Sequence, residues 1–244
     1  MFIPIYDFNP LRSIRTPVVT RTLIAVTVVI FLLFESGLVV DAQMASVGIF
    51  GVIPAEFHLG AGLRSELATI PESLTLVTYV FFHGGWMHLI GNMLFLWVFG
   101  DNIEDDMGHA RFLVFYLLCG VAGGLAHTLA NPSSEAPLIG ASAAVAGTLA
   151  AYLILHPKVK LWVLLLARIP LKVTALWVIG AWIVFQFVNL YIALDKETAY
   201  WAHVGGLLAG AVLVPFMRRP GVRLFDRDLP ALTVPQIDPE RGGH

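Results

Sequence analysis

The chain is short of charge and nearly without cysteine. Only 13% of its 244 residues are Asp, Glu, Lys or Arg, about half the share of an ordinary soluble domain, which excludes a water-facing surface over most of its length. Its one cysteine, Cys119, lies inside an apolar run, so no disulfide can close within the chain and the thiol is expected to pack. No basic stretch suits nucleic acid, and a net charge of −2 gives no general attraction to a polyanion. A His-Glu-x-x-His motif is missing, and no carboxylate stands at ligand spacing beside His83, His88 or His127. Neither a metal nor any other cofactor is expected.

What is abundant is apolar. Hydrophobic residues make up 57% of the chain and the mean hydropathy is +0.78, which places it in a bilayer. About 20 apolar residues cross the hydrocarbon core, and six segments approach that length: about 22–38, 86–103, 110–129, 138–155, 173–193 and 200–216. The expectation is an all-α polytopic membrane protein of six transmembrane helices. Residues 1–20, with three prolines and no small-residue cleavage site, read as a lead-in and not a removable signal. Residues 21–217 form the helical domain, and 218–244 read as a disordered tail. Within the domain, 40–75 is a long loop expected to rest at the membrane interface, carrying Phe50, Ile53, Phe57 and Leu59 among glycines. The cluster Asp101, Glu104, Asp105 and Asp106 reads as a solvated helix boundary. Of the 15 lysines and arginines, all but Arg64 and Lys196 fall on one set of alternating loops. The positive-inside rule then puts both termini in the cytoplasm.

Within this scaffold, one run of tiny residues stands out: Gly140-Ala141-Ser142-Ala143-Ala144-Val145-Ala146-Gly147. A serine in a membrane helix commonly serves only close packing. Ser142, however, has company at its own depth. The helices starting near 86, 138 and 200 all enter from one side, so His88, Ser142 and His203 lie within the first turns of their helices, about 5–8 Å below the entrance. Ionisable groups inside spans are costly and are functional candidates by default. His203, Gly206 and Gly210 fall at i, i+3 and i+7, which aims the histidine at a helix that the two glycines let come close. A neutral imidazole can take the proton of a serine hydroxyl, and acyl transfer then needs donors for the developing oxyanion. His88 and Asn92, at i and i+4, offer a ring N–H and a side-chain amide. The backbone N–H of Ser142 offers a third donor. No third member of a triad is evident, because Asp195 and Glu197 lie in an outer turn, so a Ser142–His203 dyad is expected.

Three stretches now carry a resemblance: His83-Gly84-Gly85-Trp86-Met87-His88-Leu89-Ile90-Gly91-Asn92, Gly140-Ala141-Ser142, and Ala202-His203-Val204-Gly205-Gly206-Leu207-Leu208-Ala209-Gly210. The chain resembles the rhomboid intramembrane serine proteases over roughly residues 15–217. The resemblance implies a six-helix rhomboid-like bundle with Ser142 as nucleophile, His203 as base, and His88 and Asn92 in the oxyanion hole. It also implies that the 40–75 loop lies laterally in the outer leaflet and that the fifth helix helps gate the site. The sequence departs from the family pattern in three places. Ala143 stands where the family usually has glycine, and Ala146 stands where some members stack an aromatic on the histidine. The Trp-Arg pair some members carry in the first outer loop has Leu63-Arg64 as its nearest counterpart.

The activity expected is endopeptidase cleavage in the outer part of a transmembrane segment of single-pass proteins, without a cofactor. The partners are such substrates and the lipid bilayer, with no nucleic acid, and the location is a bacterial cytoplasmic membrane. The alternatives are a rhomboid-like protein that binds membrane proteins without turnover, and a transporter with His88 and His203 as proton-relay groups. Substrate identity and oligomeric state are not legible.

Overall fold

The apolar stretches become helices close to where hydropathy places them. The computed structural model describes residues 2–39, 43–60, 70–165, 168–192 and 198–226. Its elements in chain order begin with strand β1 (Phe2–Asp7) and helix α1 (Val18–Ile30), which continues as a π-helical turn to Glu35. Three short helices follow, α2 (Gln43–Phe50), α3 (Pro54–Leu59) and α4 (Glu72–Thr78). Then come the long helices α5 (Trp86–Met107) and α6 (His109–Ala130) and the shorter α7 (Ser142–Leu155). Strands β2 (Lys160–Leu165) and β3 (Ile169–Thr174) precede α8 (Ala175–Ile192) and α9 (Tyr200–Met217). The expectations that fall on Leu63, Arg64, Asp195, Lys196, Glu197 and residues 227–244 lie outside the described residues.

Among the described residues, four segments are long and apolar enough to cross a membrane: Val18–Glu35, α6, α8 and α9. The protein is therefore a mostly helical, polytopic membrane protein. Helix α5 is as long as α6 but ends in three consecutive acids, Glu104 to Asp106 without a break. Helix α7 has 14 residues, about 21 Å at 1.5 Å per residue, and is enclosed by its neighbours: every residue from Ala143 to Tyr152 is buried. The stretch expected to begin this helix at Leu138 is extended instead. Leu138 pairs with Val52 as an isolated β-bridge, with N–H···O distances of 3.0 and 2.7 Å, so the chain dives into the bundle before α7 starts.

The fold is not all-α. The three strands form an antiparallel sheet in the order β1-β2-β3 at one end of the bundle, which we call the sheet end. The cause is a period-2 pattern within the loop between α7 and α8. Lys160 and Trp162 face out while Leu161 and Val163 are fully buried, the alternation a half-buried strand needs. Pro4 and Pro170 lie on β1 and β3, the two edges, where a missing ladder donor is tolerated. The loop expected over 40–75 is likewise more regular than its glycines suggest, since it contains α2, α3 and the first half of α4.

The acidic cluster is corrected most sharply at Glu104, Asp105 and Asp106, which are buried and fully employed. Glu104, 0% exposed, accepts from the N–H groups of Val19 and Thr20 at 2.9 and 2.7 Å and from Thr20 Oγ1 at 2.7 Å. His109 Nδ1 lies 2.5 Å from the same carboxylate. Asp105 accepts from the N–H groups of Arg12, Ser13 and Ile14 at 2.8, 2.7 and 2.6 Å. Asp106 meets His156 Nε2 at 2.5 Å. Unpaired donors at the start of α1 and in the segment leading to it require acceptors, and buried carboxylates require partners. Each need meets the other here. The start of the expected tail is also placed, with Phe225 and Asp226 donating backbone bonds to Ile154 and Leu155 at 2.7 and 3.1 Å.

Candidate active site

At the end of the bundle opposite the sheet, a cavity of about 980 Å³ opens between α5, α7, α8 and α9. Ser142, His203, His88 and Asn92 all line it, together with Trp182 and His127. Ser142 is the first residue of α7, so its N–H is one of the helix-start donors without an intrahelical acceptor. His88 is the third residue of α5 and His203 the fourth of α9.

Small residues create this convergence. A methyl added at Gly206 would overlap the carbonyl oxygen of Ala143, and one at Gly210 would stand 2.6 Å from Gly147 Cα, so α9 lies directly on the backbone of α7. Gly123 of α6 completes the junction. A methyl there would meet Ala143 Cβ and stand 2.7 Å from the carbonyl oxygen of Ala202. The residues next to Ser142 and next to His203 are thus pinned at one point on a third helix. Gly140 adopts φ +121°, a conformation side chains rarely take, and a Cβ there would lie 2.6 Å from His88 Nε2. The His88 ring therefore rests on the backbone two residues before the serine.

The polar groups are arranged around that frame. Asn92 is buried and donates from Nδ2 to the His88 carbonyl at 3.1 Å, leaving its second amide hydrogen for another acceptor. His83 lies behind the wall: its backbone N–H donates to Glu35 at 2.9 and 3.0 Å, and its Nε2 accepts from the Ala141 N–H at 3.4 Å. Between Ser142 and His203 there is no direct hydrogen bond among the described residues. Apo hydrolases often leave this contact long until substrate arrives.

One partner of the histidine was missed in the sequence. His203 Nδ1 lies 2.8 Å from Gln186 Oε1 of α8, and Gln186 is 3% exposed. An amide oxygen only accepts, so Nδ1 carries the proton and Nε2 keeps its lone pair. Trp182, one turn earlier on α8, tilts over the imidazole at 6.0 Å between centroids, and Tyr200 meets it edge-on at 6.2 Å. The aromatic that Ala146 lacks on α7 is thus supplied from α8. A signal existed: Trp182, Gln186 and Asn189 fall at i, i+4 and i+7, and the last two are the only amides in an otherwise apolar helix. Ala143 is also resolved, because its methyl is directed at Gly123 and the residue does not line the cavity.

These features define a polytopic helical membrane protein with a small-residue helix junction beneath a cavity lined by both polar and apolar side chains. The family model of the rhomboid domain matches residues 71–220, and the chain belongs to the rhomboid family. It is 32% identical over 161 residues to RHOMBOID-like protein 5 of Arabidopsis thaliana, covering 66% of this chain and 49% of that protein. It is 28% identical over 166 residues to the rhomboid protease GluP of Bacillus subtilis, covering 68% and 30%. To the mitochondrial rhomboid protein 1 of Saccharomyces cerevisiae it is 28% identical over 152 residues, covering 59% and 41%. The chain spans about half or less of the length of these curated relatives. Their names include mitochondrial ones, so an integral membrane location stands while the expected bacterial cytoplasmic membrane gains no support from them.

Proposed function

We propose that the protein is an intramembrane serine endopeptidase that cleaves transmembrane segments of single-pass proteins. The observation that carries this reading is the opening of Ser142 and His203 into one cavity that His88 and Asn92 also line. In the reaction, His203 Nε2 takes the Ser142 Oγ proton as Oγ attacks the scissile carbonyl carbon. The oxyanion that forms is met by the Ser142 N–H, the His88 ring and the Asn92 amide, donors of a kind whose single removal typically costs about 10²–10³ in rate. His203 then passes the proton to the leaving amine, and water repeats the cycle on the ester.

In this reading residues 21–217 are the protease domain and six helices span, α5 and α7 among them, with α7 spanning jointly with the Leu138–Ala141 segment that precedes it. The sheet end and both termini are cytoplasmic, and the cavity opens outward. A regular substrate helix hides its carbonyls in its own hydrogen bonds, so a locally unstable helix would be preferred. Against the rival of a rhomboid-like binder without turnover stands the position of the Ala143 methyl, which leaves the cavity unnarrowed. The test is labelling of purified protein in detergent with a fluorophosphonate. Wild type should label, and Ser142→Ala and His203→Ala should not. An unlabelled wild type beside a reactive rhomboid control refutes the protease reading.

A further inference from the structure

The otherwise apolar helix α8 carries two buried amides, and one of them sits on the imidazole of His203. We propose that Gln186 of α8 is a positioning residue for the base, so that the site is assembled only while α8 is seated against α9. This rests on the protease reading and extends it.

Three observations combine. The Gln186 carbonyl oxygen accepts from His203 Nδ1 at 2.8 Å, with Gln186 at 3% and His203 at 8% exposure. That single bond selects the tautomer whose Nε2 can act as base. Trp182, on the same face of α8, covers the ring and also lines the cavity. The rest of α8 puts few side chains into the bundle: Val184, Phe185 and Tyr191 are 62%, 54% and 89% exposed, and beyond Ile179 its buried residues are Gln186 and Asn189. An outward displacement of α8 that widens the cavity at Trp182 therefore withdraws both the acceptor and the aromatic cover from His203. The cavity cannot be widened at this wall without loosening the base. Chemistry then follows reseating of α8 and does not proceed through an open wall.

Among the described residues, the charged or titratable groups acting electrostatically on His203 are the imidazoles of His88 on α5 and His127 on α6. A carboxylate placed at 186 would thus be a new kind of neighbour. The experiment compares wild type, Gln186→Leu and Gln186→Glu by kcat, KM and the pH profile of kcat/KM on a transmembrane peptide. A ¹⁵N-histidine NMR spectrum, with His203 assigned by its loss in His203→Ala, reports the tautomer. Gln186→Leu should lower kcat roughly tenfold to a hundredfold with KM little changed, and should give a mixture of tautomers. Gln186→Glu should keep the Nδ1–H tautomer and move the acid limb of the profile upward by about one pH unit or more. Wild-type kcat, profile and tautomer in both variants would overturn the proposal, as would equal losses in both with an unmoved limb, which mark a packing role. If wild type itself neither labels with fluorophosphonate nor turns over, the protease reading fails and this one with it. An active wild type with unaffected variants refutes only the role of Gln186.

Discussion

A methyl group is the unit of consequence in the junction beneath the cavity. Gly206 and Gly210 bring α9 onto the backbone of α7, and Gly123 holds the neighbours of Ser142 and His203 together. Overpacking of this kind costs about 1–3 kcal/mol. Gly206→Ala should lower the thermal unfolding temperature in detergent and reduce serine labelling. Gly180→Ala is the control, because nothing lies within 4 Å of the added methyl, and it should be neutral or stabilising by up to about 1 kcal/mol. Equal effects at the two positions would show that helix propensity, and not contact, governs both. The spacing of His203, Gly206 and Gly210 made this face legible, since helical periodicity converts sequence offset into direction. Gln186 was not legible as a partner, because the distance between α8 and α9 is a tertiary fact that no local pattern encodes. His83 falls between these cases: a role in the loop before α5 could be inferred, but its contacts with Glu35 and Ala141 come from chain segments far apart in sequence.

Among the elements, the sheet end repays the closest reading. Hydropathy finds helices because an apolar run of about 20 residues is a strong signal, whereas six-residue strands inside a charged loop are weak ones. The burial of the α5 carboxylates escapes local pattern for a related reason, since it depends on donors supplied from residues 12–20 and on His109 and His156. Asp7 of β1 shows what such burial does. It accepts from Tyr152 Oη at 2.6 Å and Asn102 Nδ2 at 3.0 Å. Burial pushes its carboxyl up to about 7, the Tyr152 bond opposes this, Asp101 adds to it, and His156 opposes it. A raised folded-state pKa means the folded protein holds the proton more tightly than the unfolded chain, so this contribution is complete below the ordinary aspartate range and is lost as pH rises toward 7. The unfolding midpoint in detergent should therefore fall between about pH 4 and pH 7 in a part that Asp7→Asn removes. Asparagine keeps an acceptor oxygen for both donors, so the variant should exceed wild type in stability at pH 8. A wild-type pH profile unchanged in Asp7→Asn would show that Asp7 is not the titrating group.

At the scale of the molecule, Glu104 is the tie between the N-terminal segment and the bundle. Its two oxygens serve Val19, Thr20 and His109 from a site without solvent contact. Glu104→Gln replaces one acceptor by a donor facing donors, and hydrogen bonds to a charged group are worth about 1.5–3 kcal/mol each. A marked fall in unfolding temperature is expected, against no change for Glu135→Gln at an exposed position. Equal stability of the two variants would show that α1 is held by apolar contact alone.

The enclosed α7 has one more consequence. Its far end is fastened to the sheet end through His156 and Asp106, and its 14 residues place Ser142 about 21 Å from that anchor. Enclosed by its neighbours from Ala143 to Tyr152, this helix can act as a built-in ruler. In the proposed endopeptidase reading, the level of the serine is fixed from one face of the membrane alone, so bilayers of different thickness would present different residues of the same guest helix to an unmoved blade.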